Sequence, residues 1–533
     1  MGEAGDGELA RAPGLGTDQI PLRRGARALM GRGIRWSYDP APAERRHALR
    51  DIPPTASEVL AGLPEPRPDD DGLRASNRAM RAADGLLLGV LDDDPTGSQA
   101  VHGVQVVTVL EEEVYQAALA GPAATCFVLT NTRSMEEPAA TEVNVLAARG
   151  LVSVAGRRGA RLQLVSRSDS TLRGHVMAEV TALDSVRRES AGRGYDGVLL
   201  VPAFLEAGRL TAGDIHWARV GGRLVPVGET EFARDAAFGY SASDLRDFVA
   251  EKSGGTIRRD DVGSIGLDDI RRGGSQRVSE LLAGVRDGSW AVVNATEYSD
   301  LDTVAAGVLM AERAGASFLF RTGPSFVRAL TGMGPRVPLR GADIWPAGRP
   351  PKGGHGLVVV GSHVGQTSRQ LAALRARGGI TAFELDVPAI VGGGGEVAAG
   401  TARQVAAALR ESDVLLYTSR VVAAGRDGAG SLAIARTVSA ALSRIVREAL
   451  AARPAWVVAK GGITSHDVAR HGLGIRRAEV AGQLFPGIIS LLRPLDAAPE
   501  AIGVPYVVFA GNVGDDGTLA DVVAILNGER EDR

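Results

Sequence analysis

Short apolar runs rich in valine and leucine alternate with alanine-rich stretches over most of this chain of 533 residues. In the first half, runs with strand character cover residues 86–91, 104–110, 125–129, 161–165, 197–201 and 290–294. Stretches with helical character cover residues 138–149, 175–189, 243–251 and 301–315. Strands that alternate with helices favour a mostly parallel sheet with helices on both faces. The sequence therefore predicts an α/β domain over residues 81–333.

A second α/β series follows residues 334–354, whose clustered prolines and glycines are typical of a linker. Its strand-like runs cover residues 356–360, 381–385, 414–417, 455–459 and 506–509. Its helical stretches cover residues 366–377, 395–410, 430–452, 465–471 and 519–526. We therefore predict a second domain over residues 355–530. Each domain should be a mostly parallel sheet flanked by helices, with an inter-domain cleft.

Residues 1–80 have a different composition, rich in Gly, Ala, Arg, Pro and Asp and without a long periodic segment. We predict a partly disordered extension, with some helix near residues 55–63 and an exposed linker at residues 65–71. In the first domain, Gly221 and Gly222 lie in residues 219–229, which predicts a β-hairpin there.

Charge and composition exclude several function classes. The net charge is −3, the pI is near 6.3 and aromatic residues make up 4%, so neither nucleic acid nor an anionic membrane is an expected partner. The single cysteine, Cys126, excludes an intramolecular disulfide and a cysteine zinc cluster, and its apolar neighbours predict a buried thiol. With no long apolar span and no signal-peptide core, we expect a cytoplasmic protein.

Three consecutive aspartates follow the first apolar run, at residues 92–94, and Pro95 and Gly97 turn the chain just after them. Strand ends are where α/β folds bind ligands. Carboxylates there can accept bonds from hydroxyls, take a proton or hold a metal ion. The alternative is a solvated acidic turn, since Asp, Pro and Gly are common in turns. We expect Asp92 only to close the strand.

Polar loops follow two further strands of the first domain. Residues 166–175 carry Arg167, Asp169, Ser170 and Arg173, and residues 202–216 carry Arg209. Arginines pair with carboxylates and aspartate accepts from sugar hydroxyls, so these side chains suit a small polyhydroxy acid. The alternatives are a helix cap with solvated arginines for the first loop and a simple β-turn for the second.

Three glycine-rich polar loops follow strands of the second domain, at residues 361–368, 460–467 and 509–517. Backbone N–H groups at a helix N-terminus bind anions, so together the loops suggest a nucleotide site. None is a Walker A loop, and each alone is also explained by helix capping. The histidines show no metal-ligand spacing, and no metal ligand is assigned.

The motifs, taken in order, resemble those of the four-carbon acid sugar kinase family. Asp93-Asp94-Pro95-Thr96-Gly97 resembles its Asp-Asp-x-Thr-Gly motif, and residues 168–174 resemble its Asp-Ser-Thr-x-Arg-Gly motif. Four more motifs follow in the family's order: Gly208-Arg209-x-Thr211, Gly361-Ser362, Gly461-Gly462-x-Thr464-Ser465 and Gly511-Asn512-x-Gly514. The resemblance covers roughly residues 85 to 525.

The resemblance implies an ATP-dependent kinase that phosphorylates a hydroxyl of a four-carbon sugar acid such as threonate, erythronate or 3-oxo-tetronate. It implies a sugar-acid-binding first domain and a nucleotide-binding second domain, with ATP and Mg²⁺ as cofactors. A homo-oligomer is compatible with it. The matched ATP-binding positions are Ser362, Gly461, Gly462, Ile463, Thr464, Gly511, Asn512 and Gly514. Asp93, Asp94, Arg167, Asp169, Ser170 and Arg173 fall where the sugar acid is expected, and Arg209 is a further predicted substrate-binding residue. We expect Asp93 or Asp94 to be catalytic, as the acceptor of the hydroxyl proton or as the Mg²⁺ contact.

The chain departs from the family pattern at two places. Arg167 stands where the family usually has lysine, and the two cations differ in geometry. Phe509-Ala510-Gly511 stands where the family's last loop usually reads Lys-Ser-Gly, so a lysine and a hydroxyl are missing near the expected phosphates. This departure motivates an alternative, a non-catalytic sugar-acid sensor. A nicotinamide-dependent oxidoreductase is disfavoured, because no Gly-x-Gly-x-x-Gly motif with a following acid stands at the right place.

Overall fold

The first half of the chain forms a layered α/β unit. In the computed structural model, the described residues are 54–362, 364–420, 428–485, 487–511 and 513–529; residues 1–53 of the predicted extension and the predicted site residue Asn512 lie outside them. The strands are β1 Leu86–Asp92, β2 Gln105–Val107, β3 Thr125–Leu129, β4 Arg161–Arg167, β5 Gly197–Val201, β6 Arg209–Ala212, β7 Ile215–Val220, β8 Arg223–Pro226, β9 Gly263–Ile265, β10 Ser289–Val293 and β11 Phe318–Thr322. The helices are α1 Ala56–Leu60, α2 Asp71–Ala83, α3 Glu112–Leu119, α4 Glu137–Arg157, α5 Val176–Ala191, α6 Leu245–Lys252, α7 Gly274–Leu282, α8 Tyr298–Arg313 and α9 Pro324–Thr331.

Eight of these strands form a parallel array in the order β2-β3-β1-β4-β11-β5-β10-β9. Every residue of β1 is buried, which is expected where helices cover both faces of a parallel sheet. The strands β6, β7 and β8 form a separate antiparallel sheet. Its β7–β8 turn at Gly221 and Gly222 has positive φ angles of 56° and 80°, which confirms the predicted hairpin.

The second half repeats the layered design with a different edge. Its strands are β12 Leu357–Val360, β13 Ile380–Leu385, β14 Asp413–Thr418, β15 Val457–Lys460, β16 Arg477–Phe485, β17 Ile489–Asp496 and β18 Tyr506–Phe509. Its helices are α10 Gly365–Arg377, α11 Val387–Val391, α12 Gly395–Ala408, α13 Gly428–Ala449, α14 Gly462–Asp467 and α15 Thr518–Leu526. The parallel order is β13-β14-β12-β15-β18, and β17 and β16 continue the sheet in antiparallel pairing.

A single strand pair joins the two halves. β16 pairs with β2 in antiparallel register, with Arg477 opposite Val107 and Glu479 opposite Gln105. The result is a continuous 15-stranded sheet that runs through both halves. The α/β architecture with helices on mostly parallel strands is as predicted, but β6, β9 and β11 were missed in the first half, and β16 and β17 were missed in the second. Alanine, glycine and proline interrupt their apolar pattern, and their register shifts at three points near Ala478, Gly482 and Phe485.

Parts of the predicted extension at 1–80 and of the predicted linker at 334–354 are packed against the core. Helix α2 lies on α8, where the buried Arg74 forms an ion pair of 3.1 Å with Asp302. Within the linker at 334–354, Leu339 and Trp345 are buried in the core of the second half, and the Leu339 N–H donates to the Gln483 carbonyl at 2.8 Å. Over the described parts of the chain, we find no helix long and apolar enough to cross a membrane.

Candidate functional site

The register of the central strands gathers the first set of predicted residues at one sheet edge. Asp92, at the end of β1, lies opposite Leu129 of β3 and Arg167 of β4, and Arg167 lies opposite Thr322 of β11. Because the strands are parallel, the loops that follow β1, β3, β4 and β11 all leave from the same edge. This edge therefore holds the aspartates, the loop 168–174 and the loop after β3.

Asp92 does more than close its strand. The Arg167 Nη1 donates to its Oδ1 at 2.6 Å, and both side chains are buried. Burial raises the pKa of Asp92 to about 7, against the opposing charge of Arg167. A Cβ atom on Gly97 would lie 1.9 Å from the Asp92 Oδ2, so only glycine allows the turn to cover this ion pair. Arg167 is thus paired with Asp92, and its Nη1 lies 3.6 Å from the Asp93 Oδ1.

Asp93 is buried and held from one side. The Arg133 Nη2 donates to its Oδ1 at 2.9 Å, whereas its Oδ2 has no hydrogen-bond partner among the described residues. That Oδ2 and the unpartnered Arg321 Nη2 lie 3.0 and 3.1 Å from the point where a Cβ of Gly174 would be. Burial raises the pKa of Asp93, although Arg133 opposes the shift. Asp93 is therefore poised to accept a further hydrogen bond.

Asp94 is the most accessible of the three acids, with 22% of its side chain exposed. Its Oδ1 accepts from the Thr96 N–H at 2.8 Å and from the Thr96 hydroxyl at 2.5 Å, and its Oδ2 lies 3.2 Å from the Arg133 Nη2. Burial alone would raise the pKa of Asp94, but Arg133, Arg167 and the Thr96 bonds together lower it. Asp94 is therefore ionised at neutral pH.

Arg133 is the cation shared by these carboxylates, and it was not predicted from the sequence. It contacts Asp93 and Asp94 and lies 3.9 Å from Asp169. Burial alone would lower its pKa, but the three carboxylates raise it well above the ordinary value. The signal was present, because Arg133 follows strand β3 in the polar run Thr130-Asn131-Thr132-Arg133. Its position resembles that of the other loops at this edge.

The other predicted sugar-acid residues meet beside this group. The Arg173 Nε donates to Asp169 at 2.6 Å, and the Arg173 Nη1 lies 3.5 Å from Asp235. The guanidinium groups of Arg173 and Arg209 lie 5.2 and 5.8 Å from the centre of the Phe232 ring. The Arg209 Nη1 donates to the Ala207 carbonyl at 2.8 Å, and in the described part of the chain its buried Nε has no hydrogen-bond partner. Two cations thus share one aromatic wall.

His216 fixes the loop that carries Ser170. Its Nε2 lies 2.8 Å from the Ser170 carbonyl, and its Nδ1 lies 2.9 Å from the Thr211 hydroxyl. Burial lowers the pKa of His216 to about 4, so the ring is neutral at pH 7. A carbonyl only accepts, so Nε2 carries the proton and Nδ1 accepts from Thr211. The predicted Ser170 is itself buried within this loop.

The glycine-rich loops of the second half also leave from one sheet edge. Lys460 lies opposite Val360 on one side and Phe509 on the other, so the loops that begin at 361, 461 and 510 are neighbours. Their contacts are tight. A Cβ on Gly361 would lie 2.1 Å from the Thr464 Oγ1, and one on Gly511 would lie 2.8 Å from the Ser362 Oγ. The predicted Ser362, Gly461, Thr464 and Gly511 therefore come together.

The remaining predicted residues of these loops lie around this centre. Gly462 and Ile463 begin α14, and Ile463 is 36% exposed. Gly514 has a φ of 79°, and a Cβ there would lie 2.6 Å from the Thr518 Oγ1 at the start of α15. Gly514 is therefore a packing glycine at the base of α15. Asn512 lies outside the described residues.

Two further cations lie at these loops and were not singled out from the sequence. The Arg420 Nη1 donates to the Ser362 carbonyl at 2.6 Å, and its Nη2 donates to the Ser368 hydroxyl at 2.7 Å. The buried Lys460 Nζ donates to the Ala510 carbonyl at 3.0 Å. Both cations follow the rule that predicted the other loops, because Arg420 comes just after β14 and Lys460 ends β15. Their partners are neutral, which leaves positive charge for an anion.

The two edges face each other. The Asp94 Oδ2 lies 3.7 Å from the point where a Cβ of Gly462 would be. Beside this contact, the Gln99 side chain donates to the Ile488 carbonyl at 3.1 Å and the Gln483 side chain donates to the Val101 carbonyl at 2.6 Å. The acidic group of the first half is therefore adjacent to the glycine-rich loops of the second. Within the residues described, no group of three or more His, Cys, Asp or Glu side chains is placed to hold a metal ion.

Comparison with known families agrees with this division. Residues 88–330 match the model of a sugar-binding N-terminal domain, and residues 357–519 match that of a nucleotide-binding C-terminal domain. The chain belongs to the four-carbon acid sugar kinase family. The acidic edge lies within the range matched by the sugar-binding model, and the glycine-rich loops lie within the range matched by the nucleotide-binding model.

Two curated relatives are kinases. A D-threonate kinase from Cupriavidus necator is 28% identical over 381 residues, which cover 70% of this chain and 81% of the relative. A D-erythronate kinase from Heliobacterium modesticaldum is 29% identical over 232 residues, which cover 42% of this chain and 45% of the relative. These identities support a sugar-acid kinase of this family and leave the substrate open.

Solved structures share the fold. A protein from Salmonella typhimurium LT2 superposes with a TM-score of 0.60 at 17% identity, over 82% of this chain and 98% of the other. A protein from Haemophilus influenzae superposes with a TM-score of 0.55 at 18% identity, over 82% of this chain and all of the other. At such identities the likeness is one of fold alone.

Proposed function

We propose that the protein is an ATP-dependent kinase that phosphorylates a hydroxyl of a four-carbon sugar acid such as threonate, erythronate or 3-oxo-tetronate. The observation that carries the proposal is the approach of the ionised Asp94 to Gly462. It brings a proton acceptor from the sugar-binding half to the loops of the nucleotide-binding half. The curated relatives, a D-threonate kinase and a D-erythronate kinase, support the substrate class.

Asp94 is the proposed acceptor of the hydroxyl proton. The substrate oxygen forms a bond to the γ-phosphorus of ATP, the bond from that phosphorus to the β–γ bridging oxygen breaks, and ADP leaves. The hydroxyl proton passes to the Asp94 carboxylate. Asp94 suits this role because it is partly exposed and ionised, whereas the buried Asp93 has a raised pKa. Asp93 then holds Arg133 and offers its free Oδ2 as an acceptor.

Arg173 and Arg209 are the proposed carboxylate-binding residues. Both guanidinium groups lie on Phe232, and the Arg209 Nε has no partner within the described residues. Asp169, whose pKa is lowered by Arg133 and Arg173 against the effect of burial, accepts from a substrate hydroxyl. Arg167 receives a different role from the one first predicted. Because it is buried against Asp92, its proposed role is to support the acidic turn.

The nucleotide is proposed to lie on Ser362, Gly461–Thr464 and Gly511, with Arg420 and Lys460 supplying positive charge. Helix α10 begins beside Ser362, and its N-terminus favours phosphate. Mg²⁺ commonly uses one or two protein carboxylates together with substrate phosphates. The partly exposed Asp94 would hold Mg²⁺ only as the alternative to its role as proton acceptor. When bound, Mg²⁺ would neutralise phosphate charge. Exclusion of water by the facing edges would limit hydrolysis of ATP.

The substrate is tested by a coupled ATP-consumption screen over threonate, erythronate and their 3-oxo and 2-oxo relatives. We expect turnover with at least one four-carbon acid and little without an acid. Absence of ATP consumption with every acid, together with a thermal shift on addition of an acid, would instead support the sugar-acid sensor. The change from Lys-Ser to Phe509-Ala510 is the observation that keeps this alternative.

The role of Asp94 is tested by Asp94→Asn. Removal of a general base typically costs about 10²–10⁴-fold in rate, so kcat should fall at least a hundredfold. The protein should remain folded with a modestly lower Tm, because Asp94 is partly exposed but its carboxylate pairs with Arg133. Steady-state kinetics and thermal denaturation measure the two quantities. A kcat near that of the wild type would rule out the proposed role.

A further inference from the structure

Lys460 is a buried lysine with no ion-pair partner among the residues that the structure describes. Its side chain is 0% exposed, and its Nζ lies 3.8 Å from the centre of the Phe509 ring. Its hydrogen bond goes to a neutral group, the Ala510 carbonyl, at 3.0 Å. Across the described ranges, no carboxylate forms an ion pair with it. An ammonium group can donate three hydrogen bonds, so this one is electrostatically incomplete.

Burial of an unpaired ammonium group raises the free energy of the folded, ligand-free protein. A buried charge normally has a partner of opposite charge or shifts its pKa. Burial lowers the pKa of Lys460 to about 7, because the charged ammonium loses its contact with water and gains no carboxylate partner among the described residues. Perturbed groups of this kind cluster where a protein binds charged ligands. The position at the end of β15, between the loops at 361 and 510, matches that expectation.

The bond from Lys460 sets the direction of one peptide group. The Ala510 carbonyl and the Gly511 N–H belong to the same peptide, and the described chain contains no cis peptide. In a trans peptide, the C=O and N–H point in opposite directions. Because the carbonyl faces Lys460, the Gly511 N–H points away from Lys460, and it forms no hydrogen bond to the described residues. The next carbonyl, that of Gly511, accepts from the Thr367 hydroxyl at 3.0 Å.

We propose that Lys460 is a positioning residue for the nucleotide phosphates: it holds the Ala510–Gly511 peptide so that the Gly511 N–H faces the phosphates, and its ammonium charge is balanced when they bind. The inference rests on the proposed nucleotide site. The charge acts through the peptide, since the ammonium polarises the carbonyl and so strengthens the N–H at the other end. Thr367 holds the same loop from its far side.

The test compares the full-length wild type with Lys460→Met by calorimetric titration with ADP and with adenosine. Loss of one nearby charge should weaken ADP binding roughly tenfold or more, and adenosine binding by less than twofold. Lys460→Gln, which keeps a donor for the Ala510 carbonyl and removes the charge, should weaken ADP binding to an intermediate degree. The matched control is Lys252→Met, because Lys252 also donates to a carbonyl, that of Gly239, and lies by aromatic rings.

A second readout separates a ligand role from a structural one. Because the unbalanced charge opposes folding, Lys460→Met should have an apo Tm equal to or above that of the wild type. Equal ADP affinity in the wild type and a folded Lys460 variant would overturn the role of Lys460, and so would an equal loss for ADP and adenosine. Failure of the wild type to bind ADP or ATP at all would overturn the proposed function and this inference with it.

Discussion

Asp93 and Asp94 are adjacent in the chain, yet their surroundings push their protonation in opposite directions. Asp93 is buried, one of its oxygens has no hydrogen-bond partner within the described ranges, and its pKa is raised. Asp94 is partly exposed and bonded twice to Thr96, and its pKa is lowered. Arg133 contacts both. At the residue scale, one cation therefore holds together a pair of acids that can perform different tasks.

Removal of Arg133 should be strongly destabilising. The variant Arg133→Met leaves Asp93, Asp94 and Asp169 without their shared cation, and breaking a buried ion pair in this way costs about 3–5 kcal/mol. We expect a lower denaturation midpoint in urea. Adding Asp93→Asn should recover part of the loss, because it removes one uncompensated carboxylate. If the effects of the two substitutions simply add, Arg133 and Asp93 are not coupled.

His216 makes the sugar-binding half sensitive to mild acid. Its folded pKa, about 4, is below its ordinary value of 6.5. The neutral ring therefore stabilises the fold fully above pH 6.5, and this stabilisation is lost as the pH falls toward 4. We expect a wild-type Tm above that of His216→Gln at pH 7.5, with the gap narrowing toward pH 4.5. Thermal denaturation at the two pH values measures the gap, and a constant gap would contradict the assignment.

At the scale of elements, the glycine loops depend on close contact between neighbouring strand ends. A Cβ on Gly361 would lie 2.1 Å from the Thr464 Oγ1, so Gly361→Ala must push the loops at 361 and 461 apart. We expect ADP binding to weaken at least roughly tenfold, or about 1.4 kcal/mol. The control is Gly400→Ala in α12, where no atom lies within 4 Å of the new Cβ. Unchanged ADP affinity in Gly361→Ala would show that the loop contact does not matter.

Most of the parallel strands could be predicted because their apolar runs are short, mostly buried and followed by polar turns, but the parallel strands β9 and β11 were not predicted. β16 and β17 could not, since Gly482 and Pro494 break the pattern that identifies strands. Arg133, Arg420 and Lys460 each follow or end a strand, but the sequence does not show which strand ends are neighbours. Lys460 is the clearest case: it lies in register beside Phe509, where the family pattern would place a lysine.

At the scale of the whole molecule, the continuous sheet makes the two halves one folding unit. We expect a single thermal unfolding transition, which ADP shifts as a whole, because strands of both halves belong to one sheet. Differential scanning calorimetry with and without ADP measures this. Two transitions, only one of them shifted by ADP, would show that the pairing of β16 with β2 does not couple the halves.

The sheet cannot be flat between the two halves, in the stretch that contains β16 and β17. Along the sheet, β1 and β15 are six strand positions apart, about 29 Å if the sheet were flat. Asp94 and Gly462 each lie only two residues beyond those strands, and yet they meet. The sheet therefore bends or twists between them, and the irregular register of β16 and β17 lies within this stretch. The distance over which a phosphoryl group would be transferred therefore depends on the shape of the sheet. A substitution that flattens the β16–β17 pair would widen the gap between Asp94 and Gly462 without changing any residue that lines it.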